Sequence, residues 1–225
     1  MPLESIDTGL WCLAGHFGSI GFRGSTRMIV LHGEGGLVLH SPVALSPQDV
    51  AAIEALGPVA AILAPNTYHH LHLRAAAETF PHARVYVPEG LLEKIGPVPR
   101  AQTISRKQPA MLPEGIEPFI VERHAIRETL LFHRPTRTLV TADLIYNYQT
   151  ENGFGEKLFF RLMGCYGSPK VVFYHRFAIR DKTAVHELVE QVRRWQPQRI
   201  LMCHGRIVEG DDCAEVFARA WQPFA

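Results

Sequence analysis

Apolar runs of strand length alternate along the chain with stretches in which apolar positions recur at helical spacing. Strand-like runs lie at 28–31, 36–40, 59–63, 84–87, 119–121, 129–132, 138–141 and 199–202. Helical spacing marks 46–56, 73–80, 155–164, 182–195 and 213–221. Strands that alternate with helices near the start are typical of βαβ units, whereas three successive strands in the middle indicate a largely antiparallel sheet. The pattern predicts an α/β fold with two mixed sheets packed face to face and covered by helices, a four-layer αββα sandwich.

Composition restricts the class of protein. The 225 residues are 47% hydrophobic and 20% charged, which is ordinary for one globular domain spanning 1–225. Lys and Arg number 23 against 22 acidic residues, so no charge excess favours nucleic acid or a membrane surface as a partner. The N-terminus lacks a signal-peptide pattern and the four cysteines form no CxxC pair, so we expect a cytoplasmic protein with reduced thiols. Homodimerisation is left open by the sequence.

Histidine and aspartate side chains follow several of the predicted strands. Three of the chain's 12 histidines, His69, His70 and His72, come directly after the run 59–63. His124, Asp143 and His204 each follow a later strand. Alone, each has an ordinary explanation, such as a cap or a backbone hydrogen bond. Their repeated position at strand ends predicts that they converge on one rim, where metal ligands would meet.

Taken in order, these residues resemble the motifs of the metallo-β-lactamase fold superfamily, which are HxHxDH, a later GH, a (G/T)D after a strand, and a terminal HG. Arg123-His124 is similar to the second motif, the run that ends at Asp143 to the third, and His204-Gly205 to the last. The resemblance covers most of the chain and implies the αββα fold. It also implies a metal-dependent hydrolase that acts on an ester, thioester, amide or phosphodiester.

The first motif is altered, and three alignments of it remain open. In the unshifted register, Asn66 and Tyr68 replace the first two histidines, and His70 replaces the aspartate. A shift of one residue puts His69 and His72 on the second and third histidines. A shift of two puts His70 on the second histidine and His72 on the aspartate. Every register loses ligands of the family's two-metal site, which favours one metal over two.

The resemblance therefore implies a mononuclear zinc or iron site with an open position for water. Its ligands are drawn from His70, His124, Asp143 and His204, with His69 and His72 as alternatives in the other registers. Asp143 and Tyr68 are the candidate catalytic residues, Tyr68 as a hydrogen-bond donor to a developing oxyanion. The partner is a small-molecule substrate, whose specificity we expect in loops 97–118 and 146–157. The alternative is a catalytically inactive protein of the same fold, without metal, that binds a small molecule or a partner protein.

Overall fold

Two mixed β-sheets form the centre of the molecule in the computed structural model, which describes residues 2–19, 22–149, 154–179 and 181–225. The strands are β1 (Glu4–Asp7), β2 (Leu10–Ser19), β3 (Phe22–Gly33), β4 (Gly36–His40), β5 (Val59–Leu63), β6 (Arg84–Pro88), β7 (Ala101–Ile104), β8 (Ile116–Ile120), β9 (Thr129–His133), β10 (Thr138–Thr141), β11 (Arg199–Met202) and β12 (Val208–Glu209). The helices are α1 (Pro47–Glu54), α2 (Leu73–Thr79), α3 (Leu91–Ile95), α4 (Phe154–Leu162), α5 (His175–Ala178), α6 (Lys182–Trp195) and α7 (Cys213–Trp221).

The larger sheet has seven strands in the order β1-β2-β3-β4-β5-β6-β7. Its first four strands are antiparallel, whereas β4 to β7 run parallel, as the predicted βαβ pattern requires. The smaller sheet has five strands in the order β12-β11-β10-β9-β8. Strands β8, β9 and β10 form the predicted antiparallel group, and β11 joins β10 in parallel.

Alternate side chains along each strand enter different layers, because successive residues of a strand point to opposite faces. Val30 of β3 packs with the helices outside the larger sheet, whereas its neighbour Leu31 lies in the core between the two sheets. In the smaller sheet, Leu139 of β10 packs towards α6 and α7, and Val140 lies in the same central core. These three cores define helix, sheet, sheet and helix layers, which confirms the αββα sandwich.

Helix boundaries near the larger sheet follow local chemistry. Ser46 caps α1 in a capping box with Asp49: the Ser46 hydroxyl accepts from the Asp49 N–H, and the carboxylate accepts from the Ser46 N–H.

Within the described residues, no helix combines the length and apolar character needed to cross a membrane, since the longest, α6, has 14 residues and a charged face.

Candidate metal centre

Three strands from both sheets end at one rim, and the loops that follow them hold His69, Asp143 and His204. His69 lies between β5 and α2, while Asp143 and His204 each lie two residues beyond the paired residues Thr141 and Met202. Because β10 and β11 are parallel neighbours, their carboxyl ends present Asp143 and His204 side by side. The strand-end pattern of the sequence therefore corresponds to a real convergence in space for these three residues.

The ligand atoms of the three side chains face one another. His69 Nε2 lies 3.2 Å from His204 Nε2, and the Asp143 carboxylate lies 3.3 Å from His69 Nε2 and 3.4 Å from His204 Nε2. Zinc bonds to nitrogen and oxygen of about 2.1 Å place two ligand atoms about 3.0 Å apart at a right angle and about 3.4 Å apart at the tetrahedral angle. Two imidazoles and a carboxylate at these separations fit a single divalent ion.

Both imidazoles are oriented through their second nitrogen. His204 Nδ1 lies 2.9 Å from the Ser25 carbonyl oxygen, so the ring donates there and leaves the lone pair of Nε2 directed into the site. His69 Nδ1 lies 2.6 Å from the Ser41 hydroxyl. Metal-binding histidines are commonly fixed in this way by an outer hydrogen bond, which sets the ring's orientation and tautomer. The hydrogen bonds therefore support the same pair of rings as ligands.

A buried carboxylate network supports Asp143 from behind. The Asn66 amide nitrogen donates to Asp143 Oδ2 at 2.8 Å and to Glu128 Oε2 at 2.9 Å. Glu128 also accepts from the Asp143 N–H at 2.8 Å, the Ala142 N–H at 2.7 Å and the Thr141 hydroxyl at 2.5 Å. Every oxygen of the Glu128 carboxylate thus has donors, and the backbone that carries Asp143 is held in place.

The charged groups of the site shift one another's pKa values. Burial alone would raise the pKa of Asp143, but the neighbouring His69 and His204 outweigh it and hold the pKa well below its usual range. Burial alone would lower the pKa of His69, but the Asp143 carboxylate raises it well above the usual value. Burial and the charge of Asp143 raise the pKa of Glu128. The site thus contains an anionic carboxylate that favours positive charge on the His69 imidazole.

Two tyrosine hydroxyls extend the hydrogen bonding of Asp143. The Tyr146 hydroxyl donates to Asp143 Oδ1 at 2.7 Å and lies 3.1 Å from the Tyr174 hydroxyl. Burial raises the pKa of Tyr146 well above its usual range, and the charge of Asp143 raises it further. Tyr146 is therefore a neutral phenol that holds one carboxylate oxygen of the candidate site.

The other predicted ligands lie elsewhere. His70 and His72 line the cavity described below, but their ring nitrogens do not join the group of His69, Asp143 and His204. His124 is buried, and its Nε2 lies 2.9 Å from Nδ1 of His175. Burial lowers the pKa of His124 to about 3 and that of His175 to about 4, so both rings are neutral.

Tyr68 lies at the rim and is 56% exposed, with its backbone N–H bonded to Asn66 Oδ1 at 2.9 Å. The phenol nearest to Asp143 among the described contacts comes instead from Tyr146, at 2.7 Å. The sequence placed Tyr146 only in a specificity loop, and it gave no role to Asn66 as an organiser or to Glu128. An acidic residue within the apolar strand end at 128–132 is the signal that could have indicated Glu128.

A cavity of about 510 Å³ opens beside His69, Asp143 and His204. Its wall is largely aromatic and aliphatic, and it includes Tyr146, Tyr148, Phe160, Met163 and Val172. The volume falls within the range of small-molecule sites, which is roughly 300–1,000 Å³. The candidate metal centre therefore lies beside a cavity large enough for a small molecule.

A family model described as a domain of unknown function, DUF4336, matches residues 8–153. The chain belongs to this family. The match includes His69 and Asp143 of the candidate centre, while His204 lies beyond it. A search of the curated proteins found no relative of this DUF4336 chain.

Solved structures similar to this DUF4336 chain include several metallo-β-lactamases. The DIM-1 enzyme exposed to ceftazidime has a TM-score of 0.69 and 11% identity, and the match covers 100% of this chain and 97% of that one. FIM-1 from Pseudomonas aeruginosa, in a mono-zinc form, gives 0.65 and 14%, covering 99% and 95%. A chemotaxis sensor called ODP, described as a peroxy diiron species, gives 0.61 and 17%, covering 98% and 94%. The DUF4336 chain thus has the metallo-β-lactamase fold, as its motifs implied, and its His/Asp/His cluster is compatible with a metal.

Proposed function

We propose that this protein is a metal-dependent hydrolase whose single metal ion is held by His69, Asp143 and His204. The proposal rests on the distances between their ligand atoms, which are 3.2–3.4 Å. The three residues follow the carboxyl ends of β5, β10 and β11. Zinc and iron both suit two imidazoles and a carboxylate. Among proteins of similar fold, FIM-1 is described in a mono-zinc form and ODP as a diiron species, which supports either metal.

A bound divalent ion would supply Lewis acidity, polarising a carbonyl or phosphoryl oxygen and lowering the pKa of water to about 7. The chain's own residues prepare the site. Ser25 and Ser41 fix the two rings, while Asn66 and Tyr146 each hold one oxygen of Asp143. The ligands are thus oriented before a substrate enters.

His70 is the candidate for proton transfer at the cavity. It lines the same wall as the ligands, and partial burial together with the nearby Lys94 lowers its pKa. A ring that stays neutral near pH 7 can accept a proton from water and return it to a leaving group. His70 would then act from the cavity wall without coordinating the metal.

The rival function is that of a binding protein without metal or catalysis. The altered first motif favours this alternative, since Asn66 in the unshifted register supplies an amide where the family has its first histidine. In that case the hydrogen bonds between the two imidazoles and Asp143 would serve only to close the inner end of the cavity.

Metal content separates the two functions. We would purify the protein without a metal-affinity tag and determine zinc, iron and manganese per chain. Near one equivalent of one metal supports the hydrolase, and near zero after incubation with each metal overturns it. The variants His69→Ala and His204→Ala should lose more affinity than the roughly 10–100-fold that loss of an outer partner costs. His70→Ala and His72→Ala, which alter neighbouring histidines in the same loop, should keep the metal.

A further inference from the structure

The cavity beside the candidate metal centre has a composition that restricts its ligand. We infer that it receives the apolar group of an uncharged carboxylic ester or lactone, and that substrates with an anionic group away from the bond that is cleaved, such as phosphate-bearing thioesters, are excluded. The inference rests on the proposed function for the bond that is cleaved, but the apolar nature of the ligand follows from the cavity alone.

The wall is built from apolar side chains of separate segments. Val43 comes from the loop before α1, Tyr148 from the loop after β10, Phe160 and Met163 from α4 and its end, and Val172 from the loop before α5. Tyr148 and Phe160 are stacked with ring centroids 3.6 Å apart, and both are buried. Their contact joins two of these segments, so this part of the wall is preformed and presents ring surfaces to the ligand.

Within its described lining, the cavity has no permanently positive side chain. Asp143 is the acidic residue among the described lining residues, and those residues include neither lysine nor arginine. An anionic group placed there would lose its hydration next to a carboxylate and aromatic rings, with no arginine or lysine to receive it. A single metal ion could bind the reacting group, but it would not reach a second anionic group further along the wall. An uncharged group in that position would not lose the hydration of a charge.

Lys94, beside the cavity residue Tyr68, already has partners. Lys94 Nζ donates to the Thr67 carbonyl oxygen at 2.8 Å and lies 5.1 Å from the centre of the Tyr68 ring. Beside this pair, Leu71 is 67% exposed and also lines the cavity. The apolar surface therefore continues from the inner wall to solvent, which suits entry of an apolar group before the ester reaches the ligands.

Two neighbouring residues provide a matched pair of variants. Met163 is partly buried and lines the cavity, whereas Leu162 is 73% exposed and does not. Met163→Lys places a cation inside the wall, and Leu162→Lys adds the same charge outside it. Met163→Trp adds bulk without charge and so reduces the volume of the cavity. It provides a second test if Met163→Lys does not fold.

The test begins with fluorescence titration of the neutral probe N-phenyl-1-naphthylamine, with folding of each variant checked by circular dichroism. We expect binding to the unaltered protein, weakened at least about tenfold by Met163→Lys or Met163→Trp. Leu162→Lys should change it by no more than roughly twofold. No binding, or equal weakening by the changes at 162 and 163, would overturn the inference.

Hydrolysis is then measured on the metal-loaded protein with neutral 4-methylumbelliferyl hexanoate and anionic bis(4-nitrophenyl) phosphate. Preferential cleavage of the ester, lost in Met163→Lys, supports the substrate class. Faster cleavage of the phosphodiester overturns the class but supports the hydrolase. Probe binding that responds to the Met163 variants, in a protein that holds no metal and cleaves neither compound, would support the apolar ligand and refute the proposed function.

Discussion

At the scale of single residues, Asn66 organises the loop that carries His69. Its amide nitrogen donates to two carboxylates, those of Asp143 and Glu128, and its oxygen accepts the N–H groups of Tyr68 and His69. A histidine could not make all four contacts, because an imidazole has only two nitrogens. Asn66 therefore sets the path of the loop and, through it, the position of His69.

Replacing Asn66 by aspartate should destabilise the protein strongly. Asn66→Asp keeps the shape of the side chain but replaces the amide that donates to both Glu128 and Asp143. A third carboxylate would then lie between those two. We expect a loss of about 3 kcal/mol in the free energy of unfolding at pH 7.5, and a smaller loss at pH 5, where a protonated acid can donate. Urea unfolding of the metal-free protein measures it. The exposed change Gln102→Glu alters the net charge equally and should cost less than about 0.5 kcal/mol. Similar losses for both variants would contradict the proposed role.

His124 gives a pH prediction, since burial first and His175 second lower its pKa to about 3. The unfolded chain, with a histidine pKa of about 6.5, takes up its proton earlier as the pH falls. Stability is therefore lost below about pH 6.5 and continues to fall towards about pH 3. Between pH 7.5 and 5.5 this amounts to about 1.4 kcal/mol for His124.

The variant His124→Gln lacks this titration, so its free energy of unfolding should fall by about 1.4 kcal/mol less over that interval. Chemical denaturation of the metal-free protein at both pH values provides the comparison. His82→Gln changes an exposed histidine and should behave like the unaltered protein. If His124→Gln loses as much stability as the unaltered protein, then His124 is not held neutral by its surroundings.

At the scale of elements, the loops after β10 and β11 are joined at the candidate centre. Asn147 and Gly205 form an isolated parallel bridge, and the Arg206 N–H donates to the Asn147 carbonyl oxygen at 2.8 Å. Gly205 has φ of +85°, and a Cβ at this position would overlap the Asn147 backbone. The glycine after His204 is thus required by both conformation and close approach, so that Tyr146 and His204 lie against each other.

Gly205→Ala should therefore disturb the site and not only the local backbone. Both this variant and Gly167→Ala place a side chain at positive φ, where strain costs about 1–2 kcal/mol. Gly167 has φ of +89° with no atom near an added Cβ, so its alanine meets strain alone. We expect Gly205→Ala to lose more stability than Gly167→Ala and also to bind zinc more weakly, as measured by competition with a chelator. Equal zinc affinity in the two variants would argue against the loop contact as a determinant of the centre.

The sequence predicted the layers well, but it did not select the three residues that lie together at the candidate centre. Short apolar runs gave the strands, and those at 59–63 and 138–141 identified the strands that precede His69 and Asp143. From the sequence alone, three registers of the first motif remained open. The Asn66 contacts that direct His69 inwards depend on Glu128 and Asp143, which are distant in sequence. His124 could not be assigned for the same reason: its partner His175 lies 51 residues away.

At the scale of the whole molecule, the candidate centre lies where the two sheets meet. His69 comes from the larger sheet, whereas Asp143 and His204 come from the smaller one. The only covalent link between these parts is the chain itself, so a metal bound to all three would tie the two sheets together in the folded state. Such a ligand set does not exist in the unfolded chain, and metal binding therefore contributes directly to folding stability.

Zinc added to chelator-treated protein should consequently raise the melting temperature. At a free concentration about 100 times the dissociation constant, binding adds about 2.7 kcal/mol, and for a chain of this length that corresponds to about 5–10 °C. Thermal denaturation followed by circular dichroism measures the shift. His204→Ala removes one of the two proposed ligands from the smaller sheet and should abolish most of the shift, whereas His72→Ala should retain it, because His72 lies in the same cavity but outside the ligand group. A shift that survives in His204→Ala would place the stabilising metal at another site, and a shift lost in His72→Ala would make His72 a ligand, as in both shifted registers of the first motif.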